Sequence, residues 1–442
     1  LSGLALAWAV LACGCARREA ATEVWSLANS RGAWIFSAAS ADLNGDAYGD
    51  LLVGVQGGAE AYFGSAQGLA KKPGWVWRSG ESGNAGYCVG SAGHLDGDPY
   101  PEIYVSAPRA RGRGVVYLFK TGPQGPQSRP WKVLVSPAMG DGFGERVVRA
   151  GGLYGDGYDD LAVADFSYDG QRGKVYVYRG GPRGPGLTAA WAAEGEHPGD
   201  WFGYSLCAPG DLDGDGVADL VIGSKNCNGS CLNWLKDNPD LDLHQNYVQS
   251  PAWAAAALQP MAGRLSVFYG SKTGLSARPG LVMEGKSPHE LFAYELAPAG
   301  DVEGHGRAAL LVGSIGWDGR RGLVEVLAGE AKGQPLRRLW RESGTYADQG
   351  LGYTLALPTG PPAEGGRDLL VGGLGPDEAW LYRGFDADFQ VRKTRLLEGA
   401  PTGAQIGAFM GWAGDLYGDG RDEVFLKFPG VQGRLTVLRF GP

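Results

Sequence analysis

An acidic nine-residue stretch recurs along this chain, and each copy precedes the same order of apolar segments. "DLDGDGVAD" (Asp211 to Asp219) runs into "LVIGS", "DLNGDAYGD" (Asp42 to Asp50) into "LLVGV", and "HLDGDPYPE" (His94 to Glu102) into "IYVSAP". Aligned on the ninth position, the copies fall at Asp50, Glu102, Asp160, Asp219, Ala309, Asp368 and Glu423, with gaps of 52, 58, 59, 90, 59 and 55 residues. After each apolar run comes a Gly-bounded alternating segment, such as "GVVYLFK", "GKVYVYRG" or "GRLSVFYG". Upstream of each loop lies a third element ("GYCVGSAG", "WFGYSLCAPG"). Before that comes a fourth, often with Trp ("WVWRSG", "AWAAEG", "LWRESG"). Short runs rich in β-branched and aromatic residues, bounded by Gly, are the signature of strands.

Four short strands per repeat, seven times, predict an all-β fold: a seven-bladed β-propeller. No segment of the body holds a helical period. The 76 Gly and 26 Pro among 442 residues suit so many turns, and 44% hydrophobic content with 14 Trp supplies a large core. The last repeat ends at its third strand, "GRLTVLRF", while "TEVWSLANS" near the start fits the fourth-strand pattern. Residues 23–28 are therefore expected to form the outer strand of blade 7, with Trp25 in the place of Trp77, since each lies 17 residues before its loop, at Asp42 and His94. The ring spans 23–442 as one monomeric propeller, preceded by a leader and tether over 1–22. An insertion of about 225–262 enlarges blade 4.

The "FG" of Phe143-Gly144 and Phe202-Gly203, the acidic loop, and the "SAP" of Ser106 to Pro108 resemble FG-GAP repeats. Such repeats build the propeller head of integrin α subunits and many bacterial surface proteins. The resemblance implies that the acidic loop joins the first two strands of a blade on one face and holds Ca²⁺.

The residues of the loop point the same way. Positions 1, 3, 5 and 9 carry side-chain oxygens and position 7 adds a carbonyl, a hard, flexible donor set that suits Ca²⁺ better than Mg²⁺. An EF-hand would need Glu at position 12, where Val53 and Ile222 stand, and flanking helices. The best candidate is Asp211, Asp213, Asp215 and Asp219 with the Val217 carbonyl. Next comes Asp42, Asn44, Asp46 and Asp50 with the Tyr48 carbonyl. Blade 2 offers Asp96, Asp98, Glu102 and the Tyr100 carbonyl, with His94 replacing the first carboxylate. Blade 7 offers Asp415, Asp419 and Glu423, with Tyr417 at position 3. Blade 3 keeps Asp156 and Asp160 but has Gly152 and Tyr154, and blades 5 and 6 have lost the pattern. Two Ca²⁺ sites are expected, and up to four. The alternative is a solvated acidic turn without an ion.

Leu4 to Ala12 is apolar, too short to span a bilayer, and has the length of a secretory core segment. "VLAC" resembles a bacterial lipobox, which implies lipidation at Cys13 and attachment to the cell envelope; an ordinary cleaved signal is the alternative. Cys227 and Cys231 in "CNGSC" suit a small disulfide in an oxidising compartment, or half of a zinc site. Cys88 and Cys207 read as buried thiols.

The net charge of −8 and the lack of a basic block give no support for nucleic acid as a partner. No HExxH, G-x-S-x-G, P-loop or dinucleotide pattern occurs, and the five His form no constellation. The expected function is non-catalytic: recognition of an extracytoplasmic protein or an acidic glycan. A glycan-processing envelope enzyme, or an accessory to one, is the alternative. The loops between the second and third strands face away from the acidic loops. They bring Arg109, Arg111, Arg113, Arg172, Trp317, Arg320 and Arg321, residue types that dominate interfaces. The blade 4 insertion adds Trp234 and Trp253 on the same side.

Overall fold

A computed structural model describes residues 21–28, 34–138, 142–225, 261–287, 289–358, 367–375, 378–385, 389, 391–396, 406–428 and 434–440. Among these residues twenty-eight strands form seven antiparallel sheets of four. Blade 1 is β2 (Ile35–Ala41), β3 (Asp50–Val55), β4 (Gly58–Tyr62) and β5 (Trp75–Arg78). Blade 4 is β14 (Ser205–Gly210), β15 (Asp219–Ser224), β16 (Arg264–Phe268) and β17 (Leu281–Glu284). The others follow the same order, so each acidic loop connects the first strand of its blade to the second.

The burial pattern gives the physical reason for the ring. The second strands of blades 1 to 5, β3 and β15 among them, are buried at every position, because both faces of each sheet are covered. The fourth strands of blades 1, 3 and 4 alternate between covered and open positions, as in Trp191–Glu194. Among the described residues the core is divided into apolar clusters, seven of them each shared by two consecutive sheets. Leu52, Trp75 and Trp77 of blade 1 pack with Ile103, Tyr117 and Phe119 of blade 2. The series closes where Trp25, Phe425, Leu435 and Val437 of blade 7 meet Ile35, Leu51, Val53 and Tyr62 of blade 1.

Closure follows the expected route. β1 (Ala21–Ala28) pairs antiparallel with β28 (Arg434–Phe440) and completes blade 7 with β26 (Met410–Gly414) and β27 (Glu423–Phe428). The strand begins two residues earlier than the sequence pattern suggested. The equivalence of Trp25 with Trp77 is corrected. Trp25 lies opposite Val437, as Trp75 lies opposite Ala61 and Trp191 opposite Val177, so Trp25 takes the place of Trp75.

This position carries a recurring device. Trp25, Trp75, Trp191 and Trp340 each set their ring edge-to-face on an aromatic of the next blade: Tyr62 at 4.9 Å, Phe119 at 5.3 Å, Phe268 at 4.9 Å and Tyr382 at 5.7 Å between centroids. The indoles of Trp25, Trp75 and Trp191 also donate to the carbonyls of Ala70, Gln127 and Ser276, each at 3.0 Å. Each Trp thus adds area and ring geometry to the seam between blades, and Trp25, Trp75 and Trp191 add a satisfied donor.

Among the described residues no helix is long and apolar enough to cross a membrane. Cys13, Cys227, Cys231, Trp234 and Trp253 lie outside the described residues.

Candidate metal sites and the opposite loop face

In blade 4 the carboxylates of Asp211, Asp213 and Asp215 converge, each offering an oxygen within 4.8 Å of the others. Backbone amides shape the loop around them. Asp211 accepts from Gly214 (2.6 Å), Asp215 (3.2 Å) and Gly216 (2.6 Å), and Asp215 accepts from Val217 (2.9 Å). Blade 1 repeats the arrangement. Asp42 accepts from Gly45 (2.7 Å), Asp46 (3.2 Å) and Ala47 (2.9 Å), Asn44 from Asp46 (3.1 Å), and Asp46 from Tyr48 (3.0 Å). The sixth position adopts a left-handed backbone in both loops, φ 85° at Gly216 and 69° at Ala47.

The ninth position has a different role. Asp219 is fully buried and does not join the cluster of three. Its two oxygens accept from the amides of Leu212 (2.7 Å) and Gly270 (2.8 Å), tying the loop to the exit of the third strand. Asp50 does the same with Leu43 (2.8 Å) and Gly64 (2.9 Å), and Asp160 with Leu153 (2.8 Å) and Gly180 (2.9 Å). Burial pushes the Asp50 and Asp219 carboxyls up to about 7; the two amides oppose that rise, and neighbouring carboxylates add to it. A cation beside these groups would favour their ionised forms. A carboxylate oxygen has two lone pairs, so one amide leaves each with acceptor capacity. The donors of blades 1 and 4 therefore fit an oxygen-liganded divalent cation.

Blade 2 brings Asp96, Asp98 and Glu102 within 4.8 Å of one another. Here a side-chain cation already sits among them: the Lys120 ammonium pairs with Asp96 and lies 3.0 Å from Asp98. Burial is the largest single influence on Asp96 and would raise it, but the Lys120 hydrogen bond and charge, the Asp98 amide and Glu102 together outweigh it and hold that carboxyl below its ordinary range. His94 turns its Nδ1 to the Asp98 carbonyl at 3.1 Å. In blade 3, Arg179 pairs with Asp156 at 2.8 Å and stacks on Tyr154, with its guanidinium carbon 4.6 Å from the ring centroid. In blade 7, Arg439 pairs with Asp419, lies 3.4 Å from Glu423 and stacks on Tyr417 at 4.0 Å. The sequence reading missed these three cations.

On the opposite face, Arg109 and Arg113 are exposed on either side of the turn Ala110–Gly112. Several of the expected contact residues are engaged locally. Arg111 donates to both oxygens of Glu81 at 2.8 and 3.0 Å, Arg321 pairs with Asp318 at 3.1 Å, Arg172 with Asp169 at 2.9 Å, and Arg320 with Asp348. Trp317 is half-buried at the start of a four-residue helical turn. Closer to the inner strands the same face holds a buried aromatic group that sequence reasoning did not identify: Phe166, Trp201, Tyr204 and Tyr294. The Lys225 ammonium lies 4.2 Å from the Trp201 ring centroid and 3.9 Å from that of Tyr204.

Comparison with known proteins agrees with this architecture. Residues 153–222 match the FG-GAP-like repeat family model. The chain is 30% identical to integrin alpha-5 of Xenopus laevis over 153 residues, 31% of this chain and 14% of that protein. It is 32% identical to integrin alpha-6 of Gallus gallus over 167 residues, 36% of this chain and 15% of that one. Against integrin alpha-V of Gallus gallus it is 28% identical over 275 residues, 60% of this chain and 23% of that protein. The matches cover well under two thirds of these relatives' own length. Repeat, sequence and blade plan together describe an integrin-alpha-like FG-GAP propeller.

Proposed function

We propose that the chain is a non-catalytic binding module of the cell envelope whose loops are stabilised by Ca²⁺ in blades 1 and 4. One observation carries the metal part: two loops, 169 residues apart in sequence, set equivalent oxygens in the same amide-shaped turn. Calcium bound only to the folded state stabilises it by mass action, about 2.7 kcal/mol per site at a hundredfold excess over the dissociation constant. Isothermal titration should count the ions, and melting should rise between EDTA and millimolar Ca²⁺. Asp213→Ala and Asp46→Ala should each remove one ion and part of the rise. No melting shift in the parent protein would refute the metal reading.

Partner recognition is assigned to the face opposite the acidic loops, in keeping with the similarity to integrin alpha chains. Exposed Arg109 and Arg113 and the blade 4 insertion favour an extracytoplasmic protein or acidic glycan there. Binding to intact envelope preparations should be lost on deleting residues 228–258, and Arg109→Glu with Arg113→Glu should weaken it and flatten its salt dependence. Full binding by both variants would place recognition elsewhere. Anchoring at Cys13 is tested by metabolic labelling with an alkyne fatty acid, which Cys13→Ala should abolish.

A further inference from the structure

Sheet register locates one position that separates the complete acidic loops from the incomplete ones. It lies one residue beyond the pairs Leu51–Tyr62, Ile103–Phe119, Leu161–Tyr178, Leu220–Phe268 and Val424–Leu438, opposite the ninth loop position. In blades 1 and 4 it holds an aromatic, Phe63 and Tyr269. In blades 2, 3 and 7 it holds Lys120, Arg179 and Arg439.

The exchange extends to the third loop position. Blades 1 and 4 place Asn44 and Asp213 there, with the aromatic on the third strand. Blades 3 and 7 place Tyr154 and Tyr417 there, with an arginine on the third strand stacked on that ring. Ring and polar group have traded places, and the group that arrives is a cation. In blade 2 the third-position carboxylate of Asp96 remains, and Lys120 bonds to it directly while its ammonium lies 4.9 Å from the Trp131 ring.

We propose that in blades 2, 3 and 7 a tethered side-chain cation (Lys120, Arg179 and Arg439) takes the place of the metal ion. Calcium dependence is thereby confined to blades 1 and 4. The proposal rests on the calcium reading of those two blades. A fixed ammonium or guanidinium among the carboxylates supplies the opposite charge that the buried ninth-position acid needs. It also repels a second cation at the same place, because like charges a few ångströms apart disfavour each other. Blade 4 differs. Lys332 comes from the neighbouring blade, is 61% exposed, and reaches Asp213 only at 3.9 Å. Such a side chain can swing into solvent when an ion arrives.

The test uses the full chain and Ca²⁺ alone as probe. Native mass spectrometry should count two ions on the parent protein. His94→Asp with Lys120→Phe restores the blade 1 pattern in blade 2 and should raise the count to three. Lys120→Met and Arg179→Met should lower the melting temperature in EDTA by about 2–4 °C, whereas Asp213→Ala should lower only the gain brought by Ca²⁺. Three or more ions on the parent protein would overturn the tether, as would two on the double variant, or melting unchanged in EDTA for both single variants. No ion on any variant would instead overturn the calcium reading, and the EDTA melting of the single variants would still decide the tether.

Discussion

Trp25 joins the two ends of the described chain, so its removal tests ring closure directly. The side chain is buried, and its ring meets Tyr62 edge-to-face at 4.9 Å. Its indole donates to the Ala70 carbonyl at 3.0 Å. Truncating a buried Trp to Ala costs about 3–5 kcal/mol in lost transfer energy and residual cavity. Trp25→Phe should keep most of the ring contact but lose the donor, at about 1 kcal/mol. Trp191 is the internal control. It makes the same contacts with Phe268 and Ser276, but its strand follows directly in the chain from the third strand of its own blade, whereas the strand of Trp25 meets β28 through hydrogen bonds alone.

Urea unfolding followed by far-UV circular dichroism would measure both variants, since tryptophan fluorescence changes with the substitution itself. Trp25→Ala should cost as much as Trp191→Ala and should in addition speed proteolysis within residues 21–28. The strand of Trp191, joined by the chain to its own blade and to the next, should show no matching cleavage. If Trp25→Ala costs less than about 1 kcal/mol while Trp191→Ala costs several, the first strand does not close the ring.

Three further outcomes follow from single side chains. Burial pulls the Lys225 pKa down from 10.5 to about 7, so the unfolded chain holds more protons between those values and stability should rise with pH across that window. The rise is at most about 4–5 kcal/mol, less what the Trp201 and Tyr204 rings return to the ammonium; Lys225→Met should abolish it, and an unchanged slope in pH-dependent urea melts would refute the assignment. Ala47 holds φ 69° where the loops of blades 3, 4, 5 and 7 place Gly, so Ala47→Gly should stabilise by about 1 kcal/mol in thermal melts. Asp160→Ala orphans the amides of Leu153 and Gly180 and should cost about 2–4 kcal/mol equally in EDTA and in Ca²⁺, which urea titration in each buffer would read.

The strands and their sevenfold order were legible because covered sheets impose short apolar runs, and alternation marks the outer strands. The acidic loops were legible for the same reason: Asp and Gly at fixed spacing leave few conformations. The register of Trp25 was not, because it was counted from the loop across a connection whose length is free to vary. Trp75 lies 19 residues before His94, Trp191 lies 20 before Asp211, and Trp25 lies 17 before Asp42. Only cross-strand pairing fixes the equivalence. Two arginines of the opposite face meet acids remote in sequence, Glu81 for Arg111 and Asp348 for Arg320, which no local pattern reveals, whereas Arg172 and Arg321 pair with Asp169 and Asp318 three residues away. Lys120, Arg179 and Arg439 read as ordinary charged ends of strands, since nothing local in the chain shows that such an end lies opposite an acidic loop of the same blade.

The recurring acid at the ninth position now separates into two roles that one sequence pattern had merged. It accepts the amide of the second loop residue in blades 1, 2, 3, 4 and 7, whatever stands at positions 1, 3 and 5. A buried amide without an acceptor costs about 1–3 kcal/mol, so the blade needs this acid for folding before any ion enters. Blade 5 supports the point from the other side. With Ala309 at the ninth position, the amide of Gly329 turns to the Ala308 carbonyl at 2.9 Å, whereas the corresponding Gly270 of blade 4 uses Asp219. The ninth acid therefore marks a blade that is tied shut. The first, third and fifth positions, with the residue facing them on the third strand, determine which cation neutralises it.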